Sequence, residues 1–175
     1  MTLRRYAYEC LVLFFLGLAS VAYAVLNSEE PPRPLPADPD YAAARTAFER
    51  ADWQSVLDNA ARVVARRPWD DNAYNLMGYA FRKLGNYRQA LVHYHKALDL
   101  NPHHRGVLEY LGEAYVDLGC LSQAGEVLAR LETACKRLMG DSSAAGWQSG
   151  CEEWQDLQAA MQAYRGPTRS SCTVE

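Results

Sequence analysis

A set of residues recurs along this chain with a spacing of 34 residues. Pro68 and Pro102 are separated by that distance, and the segment YNLMGYAF at 74–81 precedes the related segment LEYLGEAY at 108–115 by the same distance. Each unit has a helical hydrophobic period on both sides of a short turn. Two short helices cannot bury their apolar faces alone, so units of this kind stack on their neighbours. The spacing therefore predicts an all-α solenoid of helix-turn-helix repeats.

The repeated residues resemble those of the tetratricopeptide repeat family. Its pattern is an aromatic residue, a Leu-Gly pair and a Tyr, followed by Gly-x-Tyr, Ala-x3-Phe and a closing Pro. The middle repeat, Asp71–His104, matches at Tyr74, Met77, Gly78, Phe81, Gly85, Tyr87, Ala90, Tyr94, Ala97 and Pro102. The third repeat, Arg105 to about Leu138, matches at Leu108, Leu111, Gly112, Tyr115, Gly119, Ala124 and Leu128, but Lys136 replaces the closing proline. The first, Ala37–Asp70, keeps Trp53 and Pro68 but has Ala43 and Ala44 in place of the Leu-Gly pair.

The resemblance implies a TPR-like α-solenoid of about three repeats with a capping helix, spanning residues 41–165. Gly85 and Gly119 are positioned to take the positive φ that ends the first helix of a repeat. The cap is predicted at Cys151–Arg165, where apolar residues follow a helical spacing. These apolar residues are Trp154, Leu157, Met161 and Tyr164. Residues 166–175 are expected to be a disordered tail.

The N-terminal segment, residues 1–27, has a different character from the repeats. Two arginines precede an unbroken apolar run at residues 10–26, and two glutamates follow it. This pattern predicts a transmembrane anchor with a cytoplasmic N-terminus. A second interpretation stays open, because Ala22-Tyr23-Ala24 fits the processing site of a cleaved secretory signal. Cleavage after Ala24 would release a soluble periplasmic protein.

A proline-rich linker at residues 28–40 follows the apolar segment. Proline fixes φ and favours extended backbone, so the linker is expected to be a semi-rigid stalk, or else a plain disordered spacer. Together these features predict a single-pass protein of a bacterial inner membrane, with its repeat domain on the periplasmic side.

The cysteines after the apolar run would enter an oxidising compartment if the domain is exported. Cys135 ends the third repeat and Cys151 opens the cap, so a disulfide between them would close a loop of about 16 residues and contribute about 3 kcal/mol. The alternative is two unpaired small hydrophobic residues. Cys120 lies in a turn and is expected to pack there, while the sequence leaves the state of Cys172 undetermined.

The resemblance also implies a concave groove lined by the first helix of each repeat. The residues assigned to this partner-binding groove are Tyr41, Arg45, Phe48, Asn75, Tyr79, Arg82, Lys83, Glu109 and Glu113. Aromatic and positive groups are expected in its first half and acids at its far end, which suits an extended peptide or a partner helix. The Lys/Asn/Arg clamp with which some family members hold a C-terminal carboxylate is not carried over, because Glu109 and Glu113 occupy the third repeat. An alternative is that Tyr41 and Phe48 only pack the first repeat.

The predicted function is a non-catalytic scaffold or accessory subunit, part of a membrane or periplasmic enzyme complex. The alternative is a soluble secreted adaptor or assembly factor that binds peptides. A net charge of -3 argues against nucleic acid as a partner. The chain has neither a glycine-rich phosphate loop nor a Gly-x-Ser-x-Gly elbow, so no catalytic residue, cofactor or small-molecule substrate is expected. No metal site is expected either, because His93 and His95 point away from each other on a helix.

Overall fold

The computed structural model describes residues 38–139, 150–169 and 172. The predicted anchor and all but the end of the linker lie outside this part. The helices within it are α1 (Pro39–Glu49), α2 (Trp53–Arg66), α3 (Asp71–Lys83), α4 (Tyr87–Leu100), α5 (Arg105–Asp117), α6 (Leu121–Met139) and α7 (Glu152–Ala163). Each helix packs against the next one in the chain, and α7 also packs against α5. This is the all-α stack that the repeat spacing predicts. None of the helices in the described part is both long and apolar enough to cross a lipid bilayer.

Side chains just before the helices set where most of them begin. Asp38, Asp52, Asp70, Asn86 and His104 each cap a helix by accepting a hydrogen bond from a backbone N–H two or three residues later. The Asp70 carboxylate, for example, accepts from the Ala73 N–H at 2.9 Å. Such a cap satisfies a donor that the helix itself leaves unpaired.

The turn inside each repeat has the same backbone conformation. Gly85 and Gly119 both have φ +76°, which confirms the glycine prediction, and Ala51 takes the equivalent place in the first repeat with φ 54°. Non-glycine residues pay about 1 kcal/mol for this conformation. Each turn contains a backbone hydrogen bond in which an N–H donates to the carbonyl five residues earlier. It joins Asp52 to Ala47 at 3.0 Å, Asn86 to Phe81 at 2.9 Å and Cys120 to Tyr115 at 2.8 Å.

Small residues let the helices approach closely in the core. Tyr94 of α4 is fully buried, and its ring lies over Gly78 of α3, where a Cβ atom would be only 2.6 Å from the ring. Gly112 is the equivalent glycine of the third repeat, and Leu157 of α7 covers it instead. The capping helix therefore joins the stack at the bare backbone of α5.

The last helix of the third repeat is longer than its equivalents. Helix α6 has 19 residues, whereas α4 ends after 14. Lys136 keeps the N–H that the closing proline would lack, so the helix continues. The extension carries Cys135 toward the start of the capping helix.

Parts of the chain after α7, where a disordered tail is expected, contact the rest of the domain. The Tyr164 hydroxyl donates to the Pro167 carbonyl at 2.9 Å, and the Arg169 N–H donates to the Gly119 carbonyl at 2.9 Å. Cys172 lies beside Cys120. Of the described tail residues, Arg169 and Cys172 therefore have partners on the α5–α6 turn that are distant in sequence, and the disorder expected for residues 166–175 stays a prediction.

Candidate functional site

Four aromatic side chains from successive repeats lie against one another and form a surface that we call the aromatic row: Phe48, Trp53, Tyr79 and Tyr110. Tyr79 is its centre, with ring centroids 4.7 Å from Phe48, 5.6 Å from Trp53 and 4.8 Å from Tyr110. Each of the four side chains is half-buried, so each still presents part of its ring to solvent. Exposed aromatic surface of this kind is typical of partner-binding sites.

Two members of the aromatic row were not among the predicted groove residues. Trp53 begins α2, and in the repeat pattern it is the aromatic residue that follows the turn, a position not assigned to the groove. Tyr110 aligns with Leu76, a core residue of the middle repeat, so alignment alone assigns it to the core. The sequence feature that distinguishes Tyr110 is that it is aromatic where the neighbouring repeat has an aliphatic residue.

Arg82 binds residues of its own chain, which differs from its predicted role as a free positive contact. Its guanidinium donates to Glu113 at 2.5 Å and to Asp117 at 2.7 Å, and its side chain is 10% exposed. Burial opposes the charge, but the hydrogen bond to Asp117 and the charges of both carboxylates outweigh burial and raise the pKa of Arg82. Arg82 therefore links α3 to α5 beside the row.

Carboxylates gather at the Tyr110 end of the row, on α5 and α7. We call Glu109, Glu113, Glu153 and Asp156 the acidic end. Burial, followed by the charges of Glu113, Asp156 and Glu153, raises the pKa of Glu109 from the usual 4.5 to about 8, although Arg82 opposes the shift. Burial and Glu109 likewise raise the pKa of Tyr110 to about 12. The predicted acidic half of the surface is therefore extended by α7.

We expect replacement of Glu109 by glutamine to change how stability depends on pH. The folded parent keeps a proton on Glu109 that the unfolded chain releases above pH 4.5, so this residue makes the parent lose stability as pH rises from about 4.5 to about 8. Glu109→Gln should match the parent below that range and be more stable at its upper end. Urea unfolding across the range measures the difference.

Comparing the stability of Glu109→Gln with that of the parent at each pH separates the contribution of Glu109 from that of the histidines. Burial lowers the pKa of His93, His95 and His104, and this contribution is the same in both proteins. Glu126→Gln, an exposed change on α6, is the matched control and should track the parent. A constant offset between Glu109→Gln and the parent at every pH would contradict the prediction.

The other predicted groove residues occupy several environments. Lys83 is exposed, with its ammonium 5.0 Å from the Tyr79 ring centroid. Tyr41 and Phe48 both pack against the apolar cluster of α1, α2 and α3, and Phe48 also enters the row. Arg45 is exposed beside Tyr41. Asn75 lies next to Gly106 at the start of α5. The roles of these residues in binding stay predictions.

Comparison with known proteins agrees with this architecture. Residues 72–104 match the sequence model of the tetratricopeptide repeat. Residues 72–104 of the chain therefore form a tetratricopeptide repeat. The match falls on the middle repeat, which contributes Tyr79, Arg82 and Lys83. The comparison with curated proteins gave no match.

The solved structures include a similar tetratricopeptide repeat fold. It belongs to the complex of the TPR2B domain of yeast Sti1 with pHsp70, with a TM-score of 0.61 and 20% sequence identity. The similarity covers 72% of this chain and 95% of the Sti1 chain. At that identity the likeness establishes the fold.

The cysteines of this repeat protein lie in pairs within the described residues. Cys135 and Cys151, the predicted pair, have Cα atoms 6.0 Å apart and sulfur atoms at bonding distance. Cys120 and Cys172 have Cα atoms 5.9 Å apart, also with their sulfurs at bonding distance. Cys120 is buried, as expected for packing, but it also has a partner that the sequence did not indicate.

The histidines of the repeat domain make separate contacts. His93 stacks on Phe81, with centroids 5.2 Å apart, and the His104 ring caps α5 by accepting from the Val107 N–H. His95 lies 3.4 Å from the Tyr115 hydroxyl, and His103 contacts Arg137. Among the described residues, no three His, Cys, Asp or Glu side chains are placed to hold one metal ion.

Proposed function

We propose that this protein is a non-catalytic scaffold or accessory subunit that binds another protein along the aromatic row. The observation that carries the proposal is the continuity of the row. Rings from three successive repeats touch one another through Tyr79 while remaining partly open to solvent. A peptide or helix laid across several repeats would contact all of them, and aromatic residues contribute strongly to such interfaces. The Sti1 domain of the same fold was solved in complex with pHsp70, which supports a polypeptide as the partner class.

We further propose that residues 10–26 anchor the protein in the inner membrane and that the repeat domain works in the periplasm as part of a membrane or periplasmic enzyme complex. The apolar run after two arginines supports this orientation. The two cysteine pairs support an oxidising compartment, since disulfides persist there and are rare in the cytosol.

A soluble secreted adaptor is the second candidate, favoured by the Ala22-Tyr23-Ala24 processing pattern. The N-terminal residue of the mature protein separates the two candidates. Met1 in the membrane fraction supports the anchored scaffold, whereas Val25 in the soluble fraction supports the released adaptor.

The partner-binding proposal is tested by changing the row without changing the links between helices. We expect Tyr79→Ala combined with Lys83→Ala to reduce co-purification of the partner after gentle detergent extraction, because Tyr79 is the centre of the row. Arg82 is left intact because it links α3 to α5.

The matched control is Val92→Ala on α4, which removes an exposed apolar side chain away from the row. Both variants should retain the helical circular dichroism of the parent. If the Tyr79→Ala, Lys83→Ala double variant co-purifies as much partner as the parent does, the partner binds elsewhere.

A further inference from the structure

We propose that the acidic end of the aromatic row seats a lysine or arginine side chain of the partner, so that the partner segment is basic and carries an apolar residue beside the cation. This inference rests on the proposed function and specifies the chemistry of the ligand.

The carboxylates of the acidic end outnumber the cations of this chain that pair with them. Arg82 pairs with Glu113 and Asp117, and Arg105 lies 3.4 Å from Glu153. Within the described part of the chain, Glu109 forms no ion pair, although it lies among the other three carboxylates. A half-buried carboxylate in this position gains most from a cation that arrives with a ligand.

The charged groups that act on Glu109 come from three helices. Helix α5 contributes Glu113, α7 contributes Glu153 and Asp156, and α3 contributes Arg82. Leu157 covers Gly112 and brings α7 onto this face of α5. The excess of negative charge is therefore held in place by core packing.

The aromatic row is a second, independent feature that favours a cation. Aromatic ring faces attract ammonium and guanidinium groups, and Lys83 already lies 5.0 Å from the Tyr79 ring centroid. Tyr110 is 4.8 Å from Tyr79, and the charge of Glu109 acts on the Tyr110 hydroxyl, so ring surface and carboxylates adjoin. A long basic side chain can lay its methylene groups on the rings and its charge among the carboxylates.

One buried polar group lies near both of these features. The Tyr94 side chain is fully buried, and its hydroxyl has no hydrogen-bond partner among the described residues. The charged and polar groups that act on it are Arg82, Glu113, Tyr110 and Tyr79. The unpaired hydroxyl is therefore close to residues of both the row and the acidic end.

An acidic ligand is disfavoured at this junction. A further carboxylate would face Glu113, Glu153 and Asp156, and like charges in a partly buried site repel one another strongly. The surface therefore selects by charge against a ligand that ends in acidic residues.

The experiment presents the purified full-length protein with a library of short peptides. Apolar positions are fixed as leucine or tyrosine, and the intervening positions vary among Arg, Lys, Gln and Glu. We expect enrichment of peptides with Arg or Lys beside an apolar residue. For an enriched peptide, Glu109→Gln should weaken binding about tenfold, while Glu126→Gln leaves it unchanged.

The dependence of peptide affinity on pH gives a further test. A bound cation lowers the pKa of Glu109, so the affinity of the parent should rise as pH increases toward about 8, and Glu109→Gln should lose this rise. Enrichment of neutral or acidic peptides that still depend on Tyr79 would overturn the inference and leave the proposed function standing. If no peptide is enriched, or if the enriched ones bind a Tyr79→Ala variant equally well, both fail.

Discussion

Replacement of Tyr94 by alanine is expected to lower the free energy of unfolding by about 3–5 kcal/mol, the usual cost of truncating a large buried aromatic residue. The side chain is fully buried and packs on Gly78. Glycine has no side chain that can move into the space, so the cavity between α3 and α4 stays largely unfilled. Urea unfolding of the oxidised protein measures the change.

Tyr94→Phe is the matched variant, because it removes only the hydroxyl. That hydroxyl is buried and has no hydrogen-bond partner within the described residues, so its removal relieves a desolvation cost. We expect stability equal to that of the parent or higher by about 1 kcal/mol. A loss comparable to that of Tyr94→Ala would show that the hydroxyl, rather than ring packing, stabilises this part of the fold.

Removal of the cysteine pairs is the second change for which we expect a large loss in the free energy of unfolding. Serine at Cys135 and Cys151 should cost about 3 kcal/mol and serine at Cys120 and Cys172 about 4 kcal/mol, because the second pair closes the longer loop in the unfolded chain. The sequence separations are 16 and 52 residues. Thiol labelling followed by urea unfolding under oxidising conditions checks both values.

The two pairs should also differ in their local effects. Loss of the Cys120 pair should expose the chain after Tyr164 to proteases, since the other hydrogen-bonded link to the α5–α6 turn described there is the single bond from the Arg169 N–H to the Gly119 carbonyl. Loss of the Cys135 pair should leave that region protected. The chemically reduced parent is the control and should be as unstable as the protein with all four serines. Free thiols throughout in protein from its native compartment would contradict both the bridges and the proposed export.

The predicted surface shows how far alignment of repeats can specify a binding site. The repeat pattern assigns Tyr79 and Lys83 to one surface, where the Lys83 ammonium lies 5.0 Å from the Tyr79 ring centroid, and it assigns acids to the third repeat. It could not show that Arg82 reaches across to Glu113, because that depends on how far apart α3 and α5 lie. The positive half of the surface is accordingly weaker than expected and the acidic half stronger, which is the reason for proposing a basic partner.

The sequence by itself determined the elements that depend on neighbouring residues. The period, the capping side chains and the two turn glycines act over a few residues, so helix positions and the stacked all-α architecture could be read from them. Only the tertiary structure decided which distant side chains meet. It brought Trp53 and Tyr110 into the row, α7 onto Gly112 and Cys172 to Cys120. The physical reason is that these contacts depend on the rotation and separation of whole helices, which no local pattern of residues encodes.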